Sequence, residues 1–494
     1  MKRVALALAL AATLAAASLP ESIERLIASS PVSRAAFWGI RIVDLSSGKT
    51  LYEQNADRFF VPASNTKLFT TALALSRLGP DFIFQTRVMA DQAPDADGRI
   101  WGPLRLVGGG DPNLSARAVP YRMGPITGNP LAALDELAGQ VAAHGVKRIE
   151  GDIVGDDTWY VWQPYATGWS IDDPRSDDGA PVSALTINDN TFTLTIRPGP
   201  AVGDLAVLSL NPAVEYYRLD NRVRTTAAGA ERRIHVERVP GSIDLRLWGA
   251  IPLRDRGLDE ALGIEDPALY AAKALRALLE QRGITVTGGA RALHLYPHQV
   301  EDLTQAAPVS PDAGVELAEH QSAPFLEDLR ITDKASQNLH AELALRAVAR
   351  ARRNLGSFEA GREELKVFLG EAGIDPGAYT LFDGSGLSRL NLVTPAAVVK
   401  LLRYMYASPA RANWLSLLPV GGQDGTLSTR FGDSPAAGRI HAKTGSLSHV
   451  SALSGYAERP DGRWVAFSVL VNNYNGASGE VRGVMDRICS LVLE

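Results

Sequence analysis

Apolar and polar positions alternate in different ways along this chain and divide it into three stretches. Residues 39–43 and 51–52 read as short strands around the turn Leu45-Ser46-Ser47-Gly48-Lys49-Thr50, which predicts a hairpin over 39–52. Residues 64–78 follow as a helix so apolar from Leu68 to Leu75 that little of it can face water. From about residue 86 the texture changes to short strands, glycine turns and proline-rich connections. A strand over 104–107, an amphipathic helix over 131–144 and a strand over 148–154 suggest a small β-α-β unit. Alternating strands continue at 186–196, 205–210 and 243–248. Helical spacing returns at 267–282, where Leu269, Ala272, Leu275 and Leu278 share a face. The third stretch is mainly helical from 325 to about 405. Two strands, 450–457 and 464–471, then flank the turn Arg459-Pro460-Asp461-Gly462, and a C-terminal helix follows. Such an order implies one α/β (α+β) domain interrupted by another.

The ends and the composition narrow the setting. Lys2-Arg3, the apolar run 4–14 and Ala15-Ala16-Ala17 predict a signal peptide over 1–17, removed to leave a soluble exported protein with no further membrane span. Cys489 is the single cysteine, so no intrachain disulfide can form and a packed core must supply the stability. It lies among Val481, Met485, Ile488, Leu491 and Val492 at helical spacing, which predicts a buried structural thiol. The balance of 50 basic to 55 acidic residues gives no nucleic-acid signature. The eight histidines show no metal spacing, because Pro297 breaks any helix joining His294 and His298.

One tetrapeptide carries candidate chemistry. Ser64-Asn65-Thr66-Lys67 sets a serine and a lysine three apart at the start of a helix, on the same face. A neighbouring amine can remove the hydroxyl proton and make the serine a nucleophile, and the helix N-terminus favours developing negative charge. The same spacing at Ser46 and Lys49 falls in a hairpin turn, with no helix to orient the pair. Ser64 could equally be a helix cap with an exposed lysine one turn on.

Two later motifs decide between these readings. Ser336-Gln337-Asn338 opens a helical run, and Lys443-Thr444-Gly445-Ser446 precedes the final strand pair. The order S-x-x-K, S-x-N, K-T-G is that of penicillin-binding proteins and class A β-lactamases. In this arrangement Ser64 attacks a peptide carbonyl with neutral Lys67 as base, and Lys443 lowers the proton affinity of Lys67. Ser336 relays a proton to the leaving amine, and Asn338 holds Lys67 and the substrate amide. Lys443 and Thr444 bind a terminal carboxylate, while the amides of Ser64 and Ser446 form an oxyanion hole. No serine lies in a G-x-S-x-G elbow, and neither Gly48-Lys49-Thr50 nor Gly108-Gly109-Gly110-Asp111 completes a nucleotide loop.

With these residues in hand, the chain resembles the D-alanyl-D-alanine carboxypeptidase/endopeptidase family of class C low-molecular-mass penicillin-binding proteins, peptidase family S13. The likeness runs through Pro62-Ala63-Ser64, Gly110-Asp111-Pro112, Gly151-Asp152 and Asn188-Asp189-Asn190. It continues through Ser336-Gln337-Asn338-Leu339, Asp383-Gly384-Ser385-Gly386-Leu387-Ser388-Arg389, Asp424-Gly425-Thr426-Leu427 and Lys443-Thr444-Gly445-Ser446. The resemblance implies a penicillin-binding, serine β-lactamase-like transpeptidase fold, split in sequence by a large β-rich insertion with a smaller domain nested inside it. We expect residues 18–85 and 265–494 to form the catalytic domain, and 86–264 the insertion, with a nested α/β unit over about 104–165. The resemblance further implies a periplasmic enzyme without cofactor or metal, cutting peptidoglycan peptides and acylated by β-lactams. It aligns Trp169-Ser170-Ile171-Asp172-Asp173 with a segment that sends an aspartate to the diaminopimelate amine, favouring Asp173 over Asp172. Gln337 replaces the commoner aspartate of S-D-N. Two other readings stay open: a β-lactamase-like or esterase hydrolase, and a catalytically idle peptidoglycan-binding protein. The oligomeric state is left open.

Overall fold

A computed structural model describes residues 18–307 and 314–494, so the expected signal peptide lies outside the described residues. Its centre is a five-stranded antiparallel sheet in the order Ile440–Leu447, Val450–Glu458, Trp464–Asn472, Phe37–Asp44, Thr50–Gln54. The first and last strands of the sequence therefore meet side by side. Every residue of Val465–Asn472 is buried, because both faces of the sheet are covered. Val465, Phe467, Val469 and Val471 face the terminal helices Leu19–Ile27 and Ser478–Leu491 through Ile23, Val481, Met485 and Ile488. Ala466 and Leu470 face the other way, into a helical layer. The period-two alternation of a strand thus feeds two cores, and its sequence reads as a continuous apolar run.

The helical layer is built round Thr66–Leu78, whose residues Thr66 to Leu75 are all buried. Helices Asn338–Arg353, Phe358–Glu371 and Pro395–Ala407 pack about it through Leu345, Val348, Phe368, Leu401 and Leu402. The expected hairpin is present as Phe37–Asp44 paired with Thr50–Gln54. In its turn the Ser46 hydroxyl donates to Asp44 Oδ1 at 2.6 Å, so the second serine–lysine spacing only closes a loop.

A second five-stranded sheet has the order Ala290–Leu295, Ile153–Val161, Leu104–Val107, Gln85–Ala90, Val315–Gln321. Helices Ala132–Ala143 and Pro267–Gln281 cover it. Strand pairing thus runs from Gln85 to Gln321, across the break at 264/265 that the sequence texture suggests. Two three-stranded sheets built from strands between Thr191 and Gly263 are looped out of this α/β unit. The nesting is the inverse of the expected one: the β-rich unit sits inside the α/β unit. Texture misleads here because a parallel strand and its partner can lie more than a hundred residues apart, as Ala290 and Ile153 do.

Several strands carry too much charge to be read from hydrophobic alternation. Arg218–Thr226 buries only Val223 and Thr225 and sends three of its arginines outward. In contrast, the expected strand 186–196 begins only at Thr191, because Asn188, Asp189 and Asn190 take φ of 50°, 56° and 52°. Asn190 locks that turn by accepting from Ile187 N and donating to Pro181 O.

Cys489 is 1% exposed, and burial pushes its thiol up. The folded protein should therefore resist a thiol-reactive dye and take up one equivalent only in denaturant. Rapid stoichiometric labelling of the native protein would contradict this packing.

Candidate active site

Ser64 lies in the short 3₁₀ turn Ala63–Asn65, directly ahead of the buried helix Thr66–Leu78. Three features hold that turn. Ala63 is bent to φ 48°, a conformation that L-residues adopt only under constraint. Asn65 Nδ2 donates to Lys443 O at 3.0 Å, which ties the turn to the sheet edge. Gly386 (φ 88°) and Gly445 permit close approach: a Cβ on Gly386 would lie 1.9 Å from Ala63 O, and one on Gly445 would lie 3.1 Å from Ser64 N.

One turn along the helix, Lys67 is fully buried. Its Nζ donates to Asn338 Oδ1 at 2.6 Å and Ser385 O at 2.8 Å, and it lies 3.1 Å from Ser64 Oγ. Three acceptors match the three protons of an ammonium. If the amine loses one, the lone pair turns to Ser64 and the other two bonds survive. Burial lowers the Lys67 pKa to about 8, against the opposing pull of Asp383, Asp333, Glu342 and Asp178. Lys443 is also fully buried, and its pKa falls to about 7 through burial and then the charge of Lys67. Lost hydration is the first cause at both lysines, and their mutual repulsion, which acts on each alike, adds to it as expected.

Ser336 occupies the break between two helices. The π-helical turn Ile331–Ala335 ends in Ser336 at φ 61°, ψ 36°, and Asn338–Arg353 starts two residues later. Lys443 Nζ donates to Ser336 Oγ at 2.8 Å and to Thr444 O at 3.1 Å. The helix cap is Gln337, whose Oε1 accepts from Leu339 N at 2.9 Å while Nε2 reaches Asp189 Oδ2 at 3.4 Å. A glutamine in the middle position therefore has its own work, and Ser336 is left free for Lys443. Asn338 Nδ2 donates to Asp178 O at 2.9 Å, which fixes the amide so that its oxygen faces Lys67.

These residues meet in one cleft of about 270 Å³, lined by Ser64, Ser336, Asn338, Thr444, Gly445 and Ser446, with Asp178 and Thr426 at its sides. Thr444 Oγ1 is held by Thr426 Oγ1 at 2.8 Å, and Ser446 is exposed. All of the site residues expected from the three motifs thus converge. Asp173 is not among the residues lining the cleft. Its Oδ2 accepts from Ser170 N at 2.7 Å, whereas Asp172 is exposed. The surrounding segment is docked beside the site: Trp169 Nε1 donates to Asp383 Oδ2 at 3.0 Å, and Ser388 Oγ to Thr167 O at 2.8 Å.

Sequence reading missed the groups that position Lys67. The Ser385 carbonyl is presented by a loop in which Asp383, 1% exposed, accepts from Gly386 N, Ser388 N and Asn391 Nδ2. Glu342, fully buried, accepts from Gly384 N and Ser385 N and pairs with Arg346 Nη1 at 3.0 Å. The run 383–389 stood out as a motif, but a carbonyl has no sequence signature. Asp178 carried no signal at all. Because the Gly386 Cα faces Ala63 O, Gly386→Ala should displace the serine turn. Misplacement of about 1 Å costs roughly a hundredfold in rate, so acylation of Ser64 should slow by about that factor in the fraction that stays folded. The unfolding midpoint should also fall, because alanine is strained at φ 88°. Unchanged acylation kinetics would refute the role given to this contact.

The model of the D-Ala-D-Ala carboxypeptidase 3 (S13) family matches residues 19–491. A D-alanyl-D-alanine carboxypeptidase of Actinomadura sp. (strain R39) is 34% identical over 469 residues, covering 93% of this chain and 81% of its own. The crystal structure of penicillin binding protein 4 from Haemophilus influenzae superposes with a TM-score of 0.80 at 25% identity, covering 95% of this chain and 98% of that one. The same protein complexed with a β-lactam gives a TM-score of 0.74 at 24% identity, with 95% and 98% covered. The chain belongs to the D-Ala-D-Ala carboxypeptidase 3 (S13) family and is a serine-type D-Ala-D-Ala carboxypeptidase with a penicillin-binding fold.

Proposed function

We propose that Ser64 is the nucleophile that cuts the D-alanyl bond of peptidoglycan peptides, with Lys67 as its base. The observation that carries this reading is the Lys67 ammonium, buried and held by Asn338, Ser385 and Ser64 at once. A substrate carboxylate entering beside Lys443 and Thr444 raises the proton affinity of Lys443. With its proton held on Lys443, the charge of Lys443 favours loss of the proton from Lys67, which becomes neutral. Lys67 takes the Ser64 proton as Oγ bonds to the carbonyl carbon, with the amides of Ser64 and Ser446 facing the oxyanion. Collapse breaks the C–N bond. The leaving amine takes a proton from Lys443 through Ser336, which lies 2.8 Å from Lys443 Nζ. Loss of the proton on Lys67 to solvent, with reprotonation of Lys443, restores the pair for deacylation. Water then hydrolyses the acyl-enzyme.

The leaving amine defines the activity. Terminal D-alanine gives a carboxypeptidase, and the amine of a cross-linked neighbour gives an endopeptidase. A β-lactam carries both an amide carbonyl and a carboxylate, so it should acylate Ser64 by the same route. The substrate and the leader-like residues 2–17 support a periplasmic setting. We assign the catalytic unit to residues 18–85 and to the chain after Gln321, since strands up to Gln321 pair with Gln85–Ala90. The pKa of Asp173 is raised by burial, against the Ser170 amide and, more weakly, the nearby charge of Arg389. We retain it as the contact for a cationic side chain, with Asp172 as the competing residue.

Digestion of cross-linked muropeptides, read by mass spectrometry, tests the reading. Loss of single alanines and of cross-links should both occur, and Ser64→Ala should abolish them together with labelling by a fluorescent penicillin. Full digestion by the Ser64→Ala variant would sink the assignment, and rapid turnover of a chromogenic β-lactam would point to a β-lactamase instead. Asp173→Ala should raise KM for peptides ending in a free side-chain amine by up to about fivefold, the cost of one solvent-accessible charge contact. If Asp172→Ala does this and Asp173→Ala does not, the contact belongs to Asp172.

A further inference from the structure

Asp333 is a buried acid that neither the three motifs nor the mechanism above employs. It lies on the π-helical turn Ile331–Ala335, three residues before Ser336, and is 0% exposed. Its Oδ2 is 3.0 Å from Thr71 Oγ1, while its Oδ1 is buried without a hydrogen-bond partner. The Thr71 hydroxyl also lies 2.7 Å from Lys67 O, a carbonyl that can only accept. A hydroxyl has one proton to give. With that proton on Lys67 O, the contact between Thr71 and Asp333 requires a proton from Asp333. An ionised carboxylate would leave Oδ1 charged and unpaired in the interior, which is costly. Hydrogen-bond accounting therefore favours a neutral Asp333 hung on the helix turn that carries Lys67.

The charges facing Asp333 are mostly cationic. Lys67 comes from the serine helix, Lys443 from the sheet edge and Lys334 from its own turn. Lys334 is already satisfied by Asp424 at 2.6 Å and Leu418 O at 2.9 Å. From the helix Asn338–Arg353, Glu342 is bound to the Gly384 and Ser385 amides and to Arg346. His340 on that helix is bound to Asp328 and Asp189. Lys67 and Lys443 are left as the two groups whose charge an ionised Asp333 would stabilise.

We infer that Asp333 is a positioning residue that controls how protons are shared between Lys67 and Lys443, and so when Ser64 can be activated. As a neutral acid it leaves Lys67 free to give up its proton. Once ionised, it holds protons on both lysines, which protects the carboxylate-binding charge on Lys443 but delays Lys67. Burial raises the pKa of Asp333 to about 7, where this exchange matters. The inference rests on the assignment of Ser64 and Lys67 given above.

The sign follows directly. Asp333→Asn keeps a donor for Thr71 and mimics the neutral acid at every pH. Without the anion, both lysines lose their protons more readily. At the acid end, where Asp333 is already neutral, Asp333→Asn and wild type should acylate alike. Above about pH 7, where the wild-type acid ionises, the upper part of the rise and the alkaline fall should lie about one unit lower in the variant, up to about tenfold faster acylation on that part of the rise. Asp333→Leu, without any polar atom, should move the limbs the same way even if its maximal rate is lower. The measurement is the second-order rate of labelling by a fluorescent penicillin from about pH 5 to about pH 10, on folded wild type and both variants. Limbs that coincide with the wild type in both variants overturn the inference, including when the maximal rate falls, since a structural role alone predicts that result. A wild type that takes no label overturns the Ser64 assignment itself, and this inference with it.

Discussion

Two lysine side chains held out of water are the constraint on which the rest of this structure turns. Lys67 and Lys443 are both fully buried, and a buried ammonium is costly unless its protons are satisfied. The fold meets that demand from widely separated parts of the chain. Asn338 comes from a helix start, Ser385 from a buried, hydrogen-bonded loop and Ser336 from a left-handed break between helices. Each acceptor is in turn held by something else. Asp178 orients Asn338, Glu342 and Asp383 shape the Ser385 loop, and Gln337 caps the helix so that Ser336 need not.

Much of the surrounding architecture follows from placing these partners. The central helix is buried for ten consecutive residues because it must hold Ser64 and Lys67 against both the sheet edge and the helical layer. The sheet edge at Gly445 and the 383–389 loop at Gly386 approach the serine turn so closely that a side chain at either position would crowd it. The α/β insertion is more than an appendage. Its segment between Thr167 and Gly179 docks on the 383–389 loop through Trp169 and Ser388 and supplies Asp178 to the cleft. A long insertion is compatible with a rigid site when it returns to brace that site at several points.

Much of this was legible in the sequence. The three motifs identified Ser64, Lys67, Ser336, Asn338, Lys443, Thr444 and Ser446, because short side chains with fixed chemistry recur at fixed spacing. The hairpin 39–52, the helices near 131–144 and 267–282, and the final strand pair were legible because their apolar periodicity is strong. Strands such as Arg218–Thr226 were not, since their exposed faces are charged. The nesting of the insertion was also hidden, because which distant strands pair is decided by sheet closure rather than by local pattern.

What the sequence determined by itself was the inventory of reactive groups, their order and the helix that carries the first of them. What only the tertiary structure decided was their electrical state. That Lys67 faces three acceptors, that burial lowers its proton affinity, and that Asp333 is enclosed among the lysines depend on desolvation and on contacts between residues hundreds of positions apart. Desolvation is a property of an enclosed volume, and no local stretch of sequence records which volume its side chains will share.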